Sequence, residues 1–226
     1  MIKNAKCKIS NTMDINEIIQ SDIRASLSKS GILLFLAGFM IFMGIITGEI
    51  FYKSGFTTRD NYISELATSI SPETVIHQPS ASIFNYTMII SGIMVIIATW
   101  FVQNIFKKYL STIPLFLLGI GISGVGFLPG NIVPWHFIFA LMIFISGGIA
   151  AITSFKIVSS PLRYIFICFG IIALVFLFFN KLFIPGLGVG GAERWLFYPI
   201  VFWLTGLGAY LLGIKDGHRN TLSTNS

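Results

Sequence analysis

The sequence predicts an all-α, polytopic membrane protein with six transmembrane helices and both termini in the cytoplasm. Three observations carry this. First, the 226 residues are 54% hydrophobic and only 11% charged, with a mean hydropathy of +0.82, too apolar for a soluble globule of this size. Second, the apolar residues gather in six runs, near 31–50, 83–106, 111–128, 135–155, 162–182 and 194–213. Each run is close to the ~20 residues needed to cross a hydrocarbon core. Third, six crossings sort the basic residues unevenly. Eleven of fifteen fall on one side: Lys3, Lys6, Lys8, Arg24, Lys29, Lys107, Lys108, Lys156, Arg163, Lys215 and Arg219. Only Lys53, Arg59, Lys181 and Arg194 fall on the other. The positive-inside rule makes the first side cytoplasmic. The net charge of +6 is therefore a topology signal, and no nucleic-acid partner is expected. The expected location is the cell membrane, as a multi-pass protein.

Residues 1–30 read as a cytoplasmic arm, 31–214 as the transmembrane domain and 215–226 as a cytoplasmic tail. In the arm, Ile15, Ile18, Ile19, Ile23 and Leu27 recur at helical spacing, with Asp14, Glu17, Asp22 and Arg24 between them. This pattern fits an amphipathic helix on the inner membrane surface, or one packed under the bundle. No cleavable leader is expected, because about 30 polar residues precede the first apolar run. Cys7 and Cys168 fall in different environments, so no disulfide is expected.

The first external loop, about 51–82, is the longest connection. Asp60 or Asn61 is placed to cap a short helix running to about Ser69, and Ser71-Pro72 to end it. The second span then begins near Asn85. The third span ends in Phe127-Leu128-Pro129-Gly130, and a tryptophan, Trp135, opens the fourth. The fifth ends in Phe183-Ile184-Pro185-Gly186, and Trp195 opens the sixth. Pro-Gly marks a turn and tryptophan favours the interface, so the two hairpins read either as a weak duplication or as convergent interface chemistry. The pairs Gly44/Gly48, Gly147/Ala151 and Ala209/Gly213 are spaced for close helix packing within the bundle.

Ile63-Ser64-Glu65-Leu66, Phe84-Asn85, Gly126-Phe127-Leu128-Pro129, His136 and Gly191-Ala192-Glu193-Arg194 follow one another across the spans. In this order they resemble a family of prokaryotic six-helix membrane proteins, the domain of unknown function nine-nine-eight. The resemblance covers nearly all of the chain after the arm, departing at the extra Leu128. It implies a fold but no reaction.

Five of the nine acids, Glu49, Asp60, Glu65, Glu73 and Glu193, lie on or near the external side with His77 and His136. Ionisable groups near hydrocarbon are costly unless paired or wet. Helices entering from one face can gather Glu65, Asn85, His136, Glu193 and Arg194 into a polar cup near the outer headgroups, and these five are the expected ligand-binding residues. The expected partners are membrane lipids: an outer-leaflet headgroup, or a small polar ligand. The structural alternative has Arg194 pairing Glu65 or Asp60 and His136 bonding a carbonyl. Gly186 to Gly191, at a helix start beside Arg194, read either as an anion cradle or as a flexible re-entry loop.

Chemistry at this face is less well specified. Only three histidines are present and none has paired-ligand spacing, so no metal is expected; a site from His136, His77 and one carboxylate is the disfavoured alternative. Ser64 lacks a nucleophile elbow. A membrane-embedded enzyme working on a lipid through Glu65 or Glu193 and His136 is the alternative to a binding protein. A transporter is disfavoured because ionisable groups are scarce at mid-membrane, with only Asn180 and Lys181 near a span end. The sequence names no cofactor and no oligomeric state.

Overall fold

The computed structural model describes residues 2–53, 55–68, 75–128, 130, 132 and 134–223, with side chains described between 17 and 214. It is all-α. The six helices are α1 (Ile2–Ile50), α2 (Ser80–Phe106), α3 (Tyr109–Phe127), α4 (Trp135–Thr153), α5 (Leu162–Phe178) and α6 (Asn180–Ser223). Short 3-10 turns at Ile63–Leu66 and Ser154–Lys156 complete it. Helices are what such apolar runs must form in hydrocarbon, where each backbone N–H and C=O needs a partner within the segment.

Each helix packs on its neighbours in sequence, and α6 returns to α1, so the six form a closed ring. The ring is built from one face of every helix. On α1, Leu34, Ala37, Ile41 and Ile45 are completely buried, while Ile32, Phe35, Phe39 and Met43 on the other faces are exposed. Trp100, Phe116, Ile171 and Phe202 are likewise exposed on other helices. An exterior this apolar suits lipid and not water. Five helical stretches are long and apolar enough to cross a membrane: 17–50, 80–106, 109–127, 135–156 and 180–214. The sequence predicts six; α5 is apolar but shorter, at 17 residues.

Small residues set the spacing within the ring. Gly92 of α2 lies so near α3 that a Cβ there would sit 2.2 Å from Ser123 Oγ and 2.5 Å from the Ser123 backbone nitrogen. Gly44 faces Thr87, Gly48 faces Leu66, and Gly147 faces Ile200, all within the bundle as expected. The Ala209/Gly213 pair does not follow. Ala209 is exposed and Gly213 meets nothing within 4 Å, because that face of α6 points outward.

Three local expectations change. The arm is not a separate helix, for α1 runs unbroken from Ile2 through the first span. Its Ile18 and Ile19 are exposed and Leu27 is buried, so the stripe joins the core only at its C-terminal end. The helix expected from about Asp60 to Ser69 is a single 3-10 turn, Ile63–Leu66. Its expected stop at Ser71-Pro72 lies outside the described residues, as does Pro129 of the third-span turn. Finally, Pro185-Gly186 is not a turn. Residues 180–187 are helical, and the chain kinks at Gly188 (φ 74°, ψ 170°).

Candidate functional site

The candidate site lies where α1 ends, α6 kinks and the 55–68 loop crosses between them. The loop first braces itself. Thr57 N–H donates to Asn61 Oδ1 at 2.8 Å, and the Thr57 hydroxyl donates to Asp60 at 2.9 Å. Glu65 reaches back three residues to accept the Tyr62 N–H at 3.0 Å, and also accepts from Asn61 Nδ2 at 2.9 Å. These bonds satisfy donors that a one-turn helix leaves open.

The braced loop is then fastened to α6. The Arg59 carbonyl accepts from Gly190 N–H at 2.8 Å and Gly191 N–H at 3.3 Å. The backbones meet there because a side chain is absent. A Cβ at Gly188 would lie 2.2 Å from the Arg59 carbonyl oxygen, and one at Gly190 would lie 2.2 Å from that of Asn61. The positive φ of Gly188 also favours glycine. Two of the amides read as an anion cradle, those of Gly190 and Gly191, are therefore engaged by the chain's own carbonyl, and the segment is an ordered kink, not a loose loop.

Arg194 completes the fastening. Its Nη1 donates to the carbonyls of Thr58 (2.9 Å), Asn61 (3.1 Å) and Gly190 (2.9 Å). Its Nη2 pairs with Glu49 Oε1 at 2.5 Å, and the guanidinium lies over the Phe56 ring. Arg194 is 8% exposed. Its acid is thus Glu49 at the end of α1, not Glu65 or Asp60. Glu65 is committed to its own turn, and Asp60 is exposed and only 3.9 Å from Arg59. Glu49 carried a readable signal: an acid at the end of an apolar span is expensive without a basic partner, and few basic groups share that end. Arg59 and Tyr198 also border the site and were not among the residues singled out.

Glu193, next to Arg194, points to the other side of α6. Its carboxylate accepts the Ile63 N–H and lines a cavity of about 30 Å³ shared with Ser64, His136, Phe84 and Phe197. His136 is buried and its Nδ1 lies 2.8 Å from the Leu128 carbonyl. That geometry requires the proton on Nδ1, which leaves Nε2 as the acceptor. Asn85 stands on α2 one residue after Phe84, with Oδ1 buried and without a partner. The loop phenols report the local field. The pKa of Tyr62 is raised by burial, then by the carboxylates of Glu193 and Glu65; that of Tyr52 is raised by burial and Glu65.

A larger groove, about 630 Å³, runs along the opposite face of α6 against α5. Phe169, Ile172, Leu187, Trp195, Pro199 and Phe202 give it an apolar wall, and Arg59, Arg194 and Thr58 stand at its loop end. The five expected residues are therefore divided: Arg194 borders the large groove, Glu193 and His136 share the small cavity, and Glu65 braces the loop between them. Asn85 lines neither cavity. Among the described residues, no three of His, Cys, Asp and Glu are grouped to hold a metal ion.

No curated protein and no solved structure matches the chain. A family model does, over residues 35–210, from within α1 to within α6. The chain belongs to the family described as protein of unknown function DUF998.

Proposed function

We propose that this is a six-span membrane protein that binds a lipid at its extracytoplasmic end, with the ligand lying in the α5–α6 groove. The supporting observation is the groove itself. Its 630 Å³ is in the range of small-molecule clefts, its wall is largely apolar, and two arginines stand at one end. Of these, Arg194 is occupied by four acceptors, whereas Arg59 has only a long, exposed pair with Asp60 at 3.9 Å, so Arg59 is the cation that can turn to a headgroup anion. Arg194 and Glu193 hold the loop that presents it. The external placement rests on the eleven-to-four division of basic residues.

The test is lipid retention. The full chain, purified in mild detergent, is expected to carry a bound lipid detectable by mass spectrometry of the intact complex. Arg59→Gln should lower its retention about fivefold, the loss of one charge contact at a membrane surface. A protein that retains no lipid, or an Arg59→Gln variant that retains it equally, removes this reading.

One observation favours an enzyme instead. His136, Glu193 and Ser64 share a cavity, and a free imidazole acceptor beside a carboxylate suits proton transfer. Its size decides against this as the first reading: about 30 Å³ has room for one or two waters, not a lipid. Hydrolysis of a phospholipid that disappears in both His136→Gln and Glu193→Gln, with each variant still folded, would reverse the order.

A further inference from the structure

A second groove lies at the other end of the bundle, on α2 and α3. It measures about 460 Å³ and is walled by Ile97, Trp100, Gln103, Tyr109, Ile113 and Phe116. Apart from Gln103, these residues offer a ligand hydrocarbon and three aromatic rings, those of Trp100, Tyr109 and Phe116. Trp100 is 69% exposed and Tyr109 is 66% exposed, and both carry a polar atom on an apolar ring. Such side chains settle at the boundary between headgroups and acyl chains.

The charge around this groove has one sign. Lys107 and Lys108 form the whole link between α2 and α3, and both are exposed. The two-residue link is tight enough to put Lys107 in the left-handed region, φ 50°, with its N–H on the Gln103 carbonyl at 2.9 Å. Lys29 of α1 reaches the same place: its Nζ is 5.5 Å from the centre of the Phe101 ring, and Phe101 also lines the groove. No acidic residue occurs anywhere between Glu73 and Glu193, so neither α2 nor α3 offsets these lysines. The nearest acid before Lys29 on α1 is Asp22, about two turns away. Gln103 adds a directed group. Its Oε1 accepts from the Thr112 hydroxyl at 2.5 Å, which leaves the amide NH₂ as its free donor.

We infer that the α2–α3 groove is a site for an anionic glycerophospholipid, with one acyl chain along Ile97, Trp100, Ile113 and Phe116 and the phosphate toward Lys107, Lys108 and the Gln103 amide. A zwitterionic lipid of the same chains would fill the apolar part but bring an ammonium to a cluster of lysines. The site therefore selects by headgroup charge. It is independent of the α5–α6 groove, which lies at the opposite end of the helices.

The experiment uses the full chain, delipidated in detergent and titrated with phosphatidylglycerol or with phosphatidylcholine of the same chains, read by mass spectrometry of the intact complex. One phosphatidylglycerol should bind saturably, about tenfold more tightly than phosphatidylcholine, as expected for two lysines near one phosphate. Lys107→Gln with Lys108→Gln should abolish the preference. Lys156→Gln with Arg163→Gln, the same charge change at the α4–α5 link, should preserve it. An unmodified-chain measurement stands beside these: phosphatidylglycerol with a photoreactive acyl chain should label residues 96–116. Equal binding of both lipids, equal loss in the two lysine and arginine pairs, or labelling confined to other helices would each overturn the inference.

Discussion

Arg194 decides the local geometry of the loop end. One planar guanidinium serves three carbonyls and one carboxylate that come from α1, the loop and α6. An ammonium is a compact point charge and does not span such a fan of acceptors. Replacing Arg194 with alanine removes the ion-pair partner of Glu49 and the side-chain donor to three carbonyls at a largely buried position, a change that typically costs about 3–5 kcal/mol. Arg194→Ala should therefore lower the unfolding midpoint in detergent sharply, and Arg194→Lys should recover only part of the loss. A midpoint for Arg194→Ala equal to that of the unaltered chain would show the fastening to be incidental. That Arg194 and Glu193 need partners was legible in the sequence, because charges at span ends are costly. Their partners were not. Glu65 looked available, but the three-residue spacing from Tyr62 commits it to its own turn. The partner is Glu49, an acid at the end of its own span.

At the scale of the element, spacing alone does not say which glycine carries a contact. Gly92 and Gly213 are both helical glycines on apolar helices. A methyl group on Gly92 would meet the Ser123 backbone nitrogen at 2.5 Å, and a helix backbone does not yield as a side-chain tip would. Gly92→Ala should destabilise by about 1–3 kcal/mol through overpacking. Gly213→Ala faces open space, so only helix propensity acts, and it should be neutral or stabilising by up to about 1 kcal/mol. Thermal unfolding of the two variants should move in opposite directions or at least differ clearly; equal destabilisation would mean that the α2–α3 spacing is not set at Gly92. The same lesson explains the break in α6. Pro185-Gly186 is the stronger local turn signal, yet the kink falls at Gly188. What selects it is the Arg59 carbonyl, nearly 130 residues away in sequence, and no local turn rule contains that contact.

At the scale of the whole molecule, the all-α class and the helix order were legible because hydrocarbon permits few other backbones, and the apolar runs match the helices closely except at α1 and α6, which each begin well before their runs. The number of crossings turns on α5. Its 17 residues rise about 25 Å, short of a typical ~30 Å hydrocarbon core. Mismatch of that size is accommodated by local thinning of the bilayer or by long basic side chains reaching the interface, at modest cost. Two further features argue for a crossing. Arg163 stands at the start of α5 and Lys181 just beyond its end, each where a basic side chain can snorkel. Phe176 near the end of α5 stacks on both Phe183 and Trp195, which ties the end of α5 to the beginning of α6 at the loop side of the bundle. If α5 crosses, the Lys156–Arg163 link is cytoplasmic and residues 180–187 are external. Single cysteines at Ser159 and Lys181, in a chain with Cys7 and Cys168 replaced by serine, should then react with a membrane-impermeant thiol reagent from opposite faces of sealed vesicles. Labelling of both from one face would make α5 a re-entrant helix, leave five crossings, and put the two termini on opposite sides. The basic residues argue against that arrangement, since Lys215 and Arg219 would then lie outside.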